Sequence, residues 1–165
     1  MNEQLLNETC RLLTAQKLPR WQELPDLELY MDQVLGLISR YLGQYPGFDE
    51  KGLTAAMVNN YVKMGVLPPP EKKRYQRRHI AFLLVICILK ASLPIASIRA
   101  MIAQDLSSEA EDAAYDHFCE QFEQACKAAA ESALSDPSPL YHAALRAQAE
   151  QALARRLCSD DASEK

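Results

Sequence analysis

Asn59, Asn60 and Lys63 lie a short distance upstream of a basic run, EKKRYQRR, at residues 71–78. Amide side chains match the donor and acceptor pairs that base edges present, while Lys and Arg neutralise phosphates, so the two features together have the chemistry of duplex DNA recognition. Residues 51–80 carry seven basic side chains against the single acid Glu71, a local charge of +6. The rest of the chain carries 11 against 21, so the net charge of -4 hides one basic segment in an acidic body. With a Debye length of ~8 Å at physiological salt, distant carboxylates do not cancel that segment, and the acidic balance does not exclude a nucleic-acid partner. A basic run of this size is equally common as a solvated loop and first helical turn. The adjacent Asn pair favours the functional reading, because Asn is a poorer helix former than Lys, Glu or Gln and these two sit on the polar face of a helix.

Other chemistry is weaker. There is no GxSxG elbow, no Gly-rich phosphate loop, no HExxH and no paired carboxylates in a motif, so an enzyme is not expected. Five cysteines without CxxC spacing read as reduced thiols. Cys119 and Cys126, with His117 nearby, share a helical face, but a separation of seven residues puts their sulfurs roughly 10 Å apart, too far for one ion, and packing explains them better. No metal or cofactor is expected. The stripe Tyr115, Phe118, Phe122 is read as packing in preference to a small-molecule pocket.

The elements that would carry the recognition residues are helical. Thr54 is placed as the N-cap of a helix AAMVNNYVKM that Gly65 ends, turning Val58, Tyr61 and Val62 to a core and leaving Asn59, Asn60 and Lys63 outward. Leu27, Tyr30, Met31, Val34, Leu35, Ile38, Tyr41 and Leu42 recur at three- and four-residue steps and predict a helix over 26–42 with Asp26 as cap. Three prolines at 68–70 exclude helix, and the chain becomes helical again near Gln76. The ten-residue apolar run at 80–89 is half of what a bilayer-spanning helix needs and reads as a core helix. A helix opens at Pro94, a long one runs over 107–134, and Tyr141, Ala144, Leu145, Ala149, Ala152, Leu153 and Leu157 stripe the last. All five Gly lie at or before residue 65, while 17 of 23 Ala lie from Ala100 on, in keeping with a helical second half. A short helix at 3–14 starts the chain, with no basic region ahead of its apolar residues, so a cytoplasmic protein without a membrane anchor is expected.

Residues 53–102 resemble the winged helix-turn-helix of MerR-type regulators, in the order of a recognition helix ending in Gly, a Gly-Val-Leu-Pro turn, a basic wing and two helices. Roughly residues 18–104, with the strings LYMDQV and NNYVKMG, are closer to an uncharacterised bacterial family, domain of unknown function 1836. The resemblance implies a DNA-binding transcription regulator. Carried over by position, Val58 is the buried aliphatic of the recognition helix, Asn59 and Asn60 occupy the positions of an Arg and a Tyr, Tyr61 stands at a phosphate-touching tyrosine, Gly65 at the helix-ending glycine and Tyr75 at the wing's closing tyrosine. The connection from Leu42 to Thr54 is longer than the usual turn between such helices. The expected protein is thus all-α: an N-terminal helix and linker (1–25), a MerR-like winged helix-turn-helix (26–104), a C-terminal helical hairpin (105–158) that makes a homodimer, and a disordered tail (159–165). Asn59, Asn60 and Lys63 would enter the major groove, Lys72, Lys73, Arg74, Tyr75, Arg77 and Arg78 would hold the phosphates, and Thr54 and Tyr61 of the same helix are counted with the DNA-binding residues. The alternative is a protein-interaction adaptor that keeps this fold without binding DNA.

Overall fold

A computed structural model describes residues 2–48, 51–106 and 110–160 of the chain. Among the described residues there are seven α-helices: α1 (Glu3–Ala15), α2 (Met31–Leu42), α3 (Ala55–Lys63), α4 (Arg77–Leu89), α5 (Ile95–Met101), α6 (Glu111–Leu134) and α7 (Pro139–Asp160). A 3-10 turn, Trp21–Glu23, follows α1, and a π-helical turn, Ile102–Leu106, extends α5. Among the described residues β structure is limited to two isolated antiparallel bridges, Leu29 with Tyr75 and Glu71 with Arg74. The fold is all-α, as the periodicities imply.

Helix α4 is apolar on every side, and a helix of that pattern is stable in water only if others surround it. Its residues from His79 to Cys87 are all buried. Val34, Ile38 and Leu42 of α2, Val58 and Tyr61 of α3, Ile98 of α5 and Tyr115 and Cys119 of α6 join it in one buried cluster. The boundaries expected at 25/26 and 104/105 therefore do not separate cores. The first turns of the C-terminal part complete the same core as α2–α5, and α1 packs along α6, where the Cys10 thiol donates to the Ala130 carbonyl at 3.7 Å.

One face of α6 also clasps the extended segment that follows α1. Glu123 accepts from the Leu18 backbone N–H (3.1 Å), from both Arg20 Nη atoms (2.8 and 3.1 Å) and from Lys17 Nζ (3.1 Å). Tyr115 donates its hydroxyl to the Pro19 carbonyl (3.0 Å), and Asp116 accepts from the Trp21 N–H (2.7 Å). Burial alone would raise the Glu123 pKa, but the Arg20 bond, the Leu18 N–H and Lys17 outweigh it and hold the carboxyl down at about 2.

Four expectations are corrected. The helix predicted over 26–42 starts only at Met31, because the Leu29 N–H and C=O each bond Tyr75 at 2.8 Å and hold residues 26–30 extended; Gln33 Oε1 accepts from the Tyr30 N–H, and Asp26 caps nothing. Leu27 and Tyr30, placed in the core stripe, are exposed for the same reason. Helix α6 is described from Glu111, residues 107–109 lying outside the described part, and α7 continues to Asp160, so that of the tail expected at 159–165 only 161–165 lie outside it. Finally, the apolar stripe expected on α7 is exposed along its length. Helix α7 sets Ala154 and Cys158 against the core, while Tyr141, Leu145, Leu153 and Leu157 are exposed.

Helix α3 matches its sequence signals at both ends. Thr54 Oγ1 accepts from the Met57 N–H (3.3 Å), and Gly65 adopts φ 68° in a Schellman turn, in which the Val66 N–H bonds the Tyr61 carbonyl and the Gly65 N–H that of Val62, both at 3.0 Å. A Cβ at residue 65 would find open space beside Arg99, so only the backbone conformation resists substitution. Gly65→Ala should destabilise the protein by about 1 kcal/mol in denaturant unfolding, with Gly65→Asn milder. Glu123→Gln should lower stability by about 2 kcal/mol at neutral pH. Because the folded pKa lies below the unfolded one, the wild-type advantage is complete above pH 4.5 and should fade as pH drops toward 2.

Candidate nucleic-acid interface

The residues of the candidate interface divide into those the fold presents and those it withdraws. Asn59, Asn60, Lys63 and Thr54 are exposed on α3, with Asn60 Nδ2 resting 3.4 Å from Met64 Sδ. Val58 is buried as expected. Tyr61 is buried too: its ring belongs to the core, and its carbonyl closes the α3 cap. Tyr75 is likewise in the core, edge-on to His79 with ring centroids 5.5 Å apart, and its backbone pairs with Leu29. Tyr61 thus faces the core as the helix periodicity expects, and the burial of both tyrosines corrects the place at phosphates that the resemblance implied. Burial raises both phenol pKa values.

The start of the basic run, residues 71–74, forms one tight turn. The Arg74 N–H bonds the Glu71 carbonyl at 2.8 Å, and the two central residues, Lys72 and Lys73, have φ of 47° and 63°. Positive φ at both central positions defines the hairpin turn that Asn-Gly normally fills. Here two exposed lysines hold the strained conformation, and strain of this kind costs on the order of 1–2 kcal/mol per residue. The half-buried Arg74 is laid over the Tyr30 ring, its guanidinium carbon 4.2 Å from the centroid. Tyr30 is therefore a residue of this site that the sequence reading placed in the core. Its signal was Pro25, five residues upstream of a tyrosine in a segment that could as well pair as coil.

Arg77 and Arg78 open α4, and each meets an acid. Arg77 lies 3.6 Å from Asp26, and Arg78 lies 3.1 Å from Glu111 while resting over the Phe82 ring at 5.6 Å. Both acids stand far away in sequence, and the pairings remove part of the positive charge that the run counted alone would give. His79, three residues after the cap position Gln76, accepts the Gln76 N–H on Nδ1 at 2.9 Å. Burial lowers its pKa, and nearby Arg78 adds to that against the opposing effect of the Pro69 and Pro68 carbonyls and the Gln76 backbone. The ring is thus neutral when it caps α4.

The thiols are packing groups. Burial pushes Cys87, Cys119 and Cys126 up to about 11, and among the described residues no group of three His, Cys, Asp or Glu side chains is placed to hold a metal ion. Phe122 packs edge-on to Tyr45, and Tyr115 to Trp21, so the aromatic stripe of α6 is spent on packing. Among the described residues no helix is long and apolar enough to cross a membrane.

What these features define is an all-α protein that presents a short amide-bearing helix and a strained lysine turn. The chain belongs to the family described as domain of unknown function (DUF1836), whose model matches residues 19–122. The matched stretch begins at Pro19, in the segment clasped by α6, and ends at Phe122 within α6 itself, so it takes in the shared core. Neither a curated protein nor a solved structure matches the chain.

The neutrality of His79 has a measurable consequence. A lowered folded pKa means that the unfolded chain binds the extra proton first, so stability is complete above pH 6.5 and should fall as pH drops below it. His79→Gln retains an acceptor at the same helix position, and its unfolding midpoint should stay flat between pH 6.5 and 5 where the wild type declines. Equal declines in the two proteins would show that His79 does not cap as a neutral ring.

Proposed function

We propose that the protein is a DNA-binding regulator in which α3 enters the major groove and the 71–74 turn rests on the flanking phosphates. The observation that carries this reading is the turn. Two lysines occupy the two positions where backbone strain is greatest and where Asn-Gly would be more stable, and such strain is retained where the side chains themselves are needed. Support comes from the exposed Asn59, Asn60 and Lys63, which have the chemistry to read base edges, and from residues 65–70, a proline-rich connector tied to α3 through the Val66 and Leu67 N–H bonds to Tyr61. In this reading α2, α3 and the turn are the counterpart of a MerR-type winged helix-turn-helix with its wing cut to two residues. Lys72, Lys73 and Arg74 hold the phosphates, Arg77 and Arg78 strengthen the field from behind while paired to their acids, and the action is transcriptional regulation in the cytoplasm, without catalysis.

Replacing Lys72-Lys73 by Asn-Gly separates the two roles of the turn. The variant should be more stable by about 1–2 kcal/mol. Its affinity for mixed-sequence duplexes, read by fluorescence anisotropy, should fall uniformly, and the slope of log K against log salt should flatten by about 2. Asn60→Ala should instead leave the slope unchanged and relax the preference among sequences in a selection experiment. Absent or salt-independent binding to duplex fragments at low ionic strength would overturn the proposal.

A second reading, a protein-interaction adaptor, draws on the exposed Leu27 beside Tyr30 and on the acids that face Arg77 and Arg78. It is preferred if a protein partner stays bound when Lys72 and Lys73 are both changed to Glu and duplex binding is absent.

A further inference from the structure

The side of α3 that faces away from the core has a narrow chemical composition. Successive residues of an α-helix are about 100° apart around its axis. Val58, Tyr61 and Val62 pack on the core side, so the opposite line along the helix runs close to Ala56 and Lys63. Asn59 and Asn60 stand on either side of that line, about 100° from each other. All four residues are exposed, and Met64, itself 42% exposed, extends the face at its C-terminal end. From Ala56 to Lys63 the helix rises about 10 Å, the span of roughly three base pairs. Ala56, with no side chain beyond Cβ, leaves the helix free to lie close to a groove floor, at the depth where the short asparagine amides reach base edges.

Such a face discriminates among bases. An asparagine amide holds a donor and an acceptor side by side in one plane, and adenine is the base whose major-groove edge offers the complement, the N6 amine beside N7. Guanine offers two acceptors, N7 and O6, so the amide oxygen would meet a lone pair there. Guanine is matched by Arg or Lys, and α3 carries no Arg and one Lys, Lys63, in its last turn. It also carries no Asp or Glu to accept from the N4 amine of cytosine. The apolar ends of Ala56 and Met64 suit the C5 methyl of thymine. Asn60 Nδ2 lies 3.4 Å from Met64 Sδ. Because the amide nitrogen has two hydrogens and a thioether sulfur is a weak acceptor, this contact steadies the amide without using up its donor.

We propose that the duplex read by α3 is specified by A·T pairs. Asn59 and Asn60 each pair with an adenine through N6 and N7, Ala56 and Met64 lie against thymine methyl groups, and Lys63 takes an adjoining phosphate. The inference rests on the DNA-binding reading of α3 and the lysine turn, and adds the base identity that this reading leaves open. Lys72 and Lys73 neutralise phosphates whatever the sequence, so the choice among sequences falls to the α3 face. That face bears one charge, the cation of Lys63, and is complementary to a polyanion.

Selection by the full chain from a pool of random-sequence duplexes should enrich sites in which adenine is fixed at two positions within roughly three base pairs. In the enriched duplex, 7-deaza-adenine keeps N6 and lacks N7; at either position it should weaken binding by roughly 5- to 100-fold. Uracil in place of the paired thymines should cost about threefold, with the salt slope unchanged. In Asn59→Ala the 7-deaza substitution should have no further effect at one of the two positions, and in Asn60→Ala at the other. A merely structural role for the amides would not give this match of residue to base. Both side chains are exposed, so both variants should keep the wild-type unfolding midpoint. Enrichment of guanine at these positions, full affinity for 7-deaza duplexes, or salt-dependent binding with no sequence enriched would overturn the inference and leave the DNA-binding reading standing. Absence of binding to every duplex at low ionic strength would overturn that reading, and the inference with it.

Discussion

The burial of α4 is the constraint on which the remaining structure depends. A thirteen-residue helix that is apolar around its whole circumference has no solvent side, so α2, α3, α5 and the first turns of α6 must close around it. That enclosure explains why a helix 24 residues long can belong to the core at one end and project from it at the other. It also fixes where charge appears. Arg77 and Arg78 are the first residues of the most enclosed element, and the turn that bears Lys72 and Lys73 is the stretch of chain just before it. A basic surface at the mouth of a rigid helix is held more firmly than the same residues on a free loop.

Three local devices transmit this rigidity to the turn. Tyr75 sinks its ring beside His79 and pairs its backbone with Leu29. His79 caps α4 as a neutral acceptor. Tyr30 supports Arg74 from the side. None of these residues need touch a ligand; each removes a freedom that the lysine turn would otherwise have, and so lessens the entropy lost on binding an extended partner. Because Tyr75 and Tyr61 are core residues, the groups left exposed around them are the amides of α3 and the lysines of the turn.

The clasp of residues 17–21 by α6 serves a different purpose. Glu123 gathers one backbone N–H and two cations, a satisfied and partly buried arrangement that ties the linker after α1 to the far side of the core. With α1 lying along α6 and α7 folding back on it, α6 becomes the spine connecting the family's matched region to the two terminal helices.

Much was determined by the sequence itself, wherever the signal is local. Thr54 and Gly65 bound α3 because capping and left-handed geometry act within one turn, and the apolar run before Lys90 announces a buried helix because no other environment would tolerate it. The outward Asn59, Asn60 and Lys63 followed from the same periodicity. Tertiary structure decided what depends on partners distant in the chain. Residues 26–30 carry a helical pattern, yet two backbone bonds to Tyr75 draw them out straight; Arg77 and Arg78 read as free charge until Asp26 and Glu111 arrive beside them. For α7, periodicity names which residues share a stripe, but not which stripe faces inward. That choice rests on contacts from distant parts of the chain: Ala154 and Cys158 meet the core, Arg146 bonds Ser132 and Gln151 bonds Ser92.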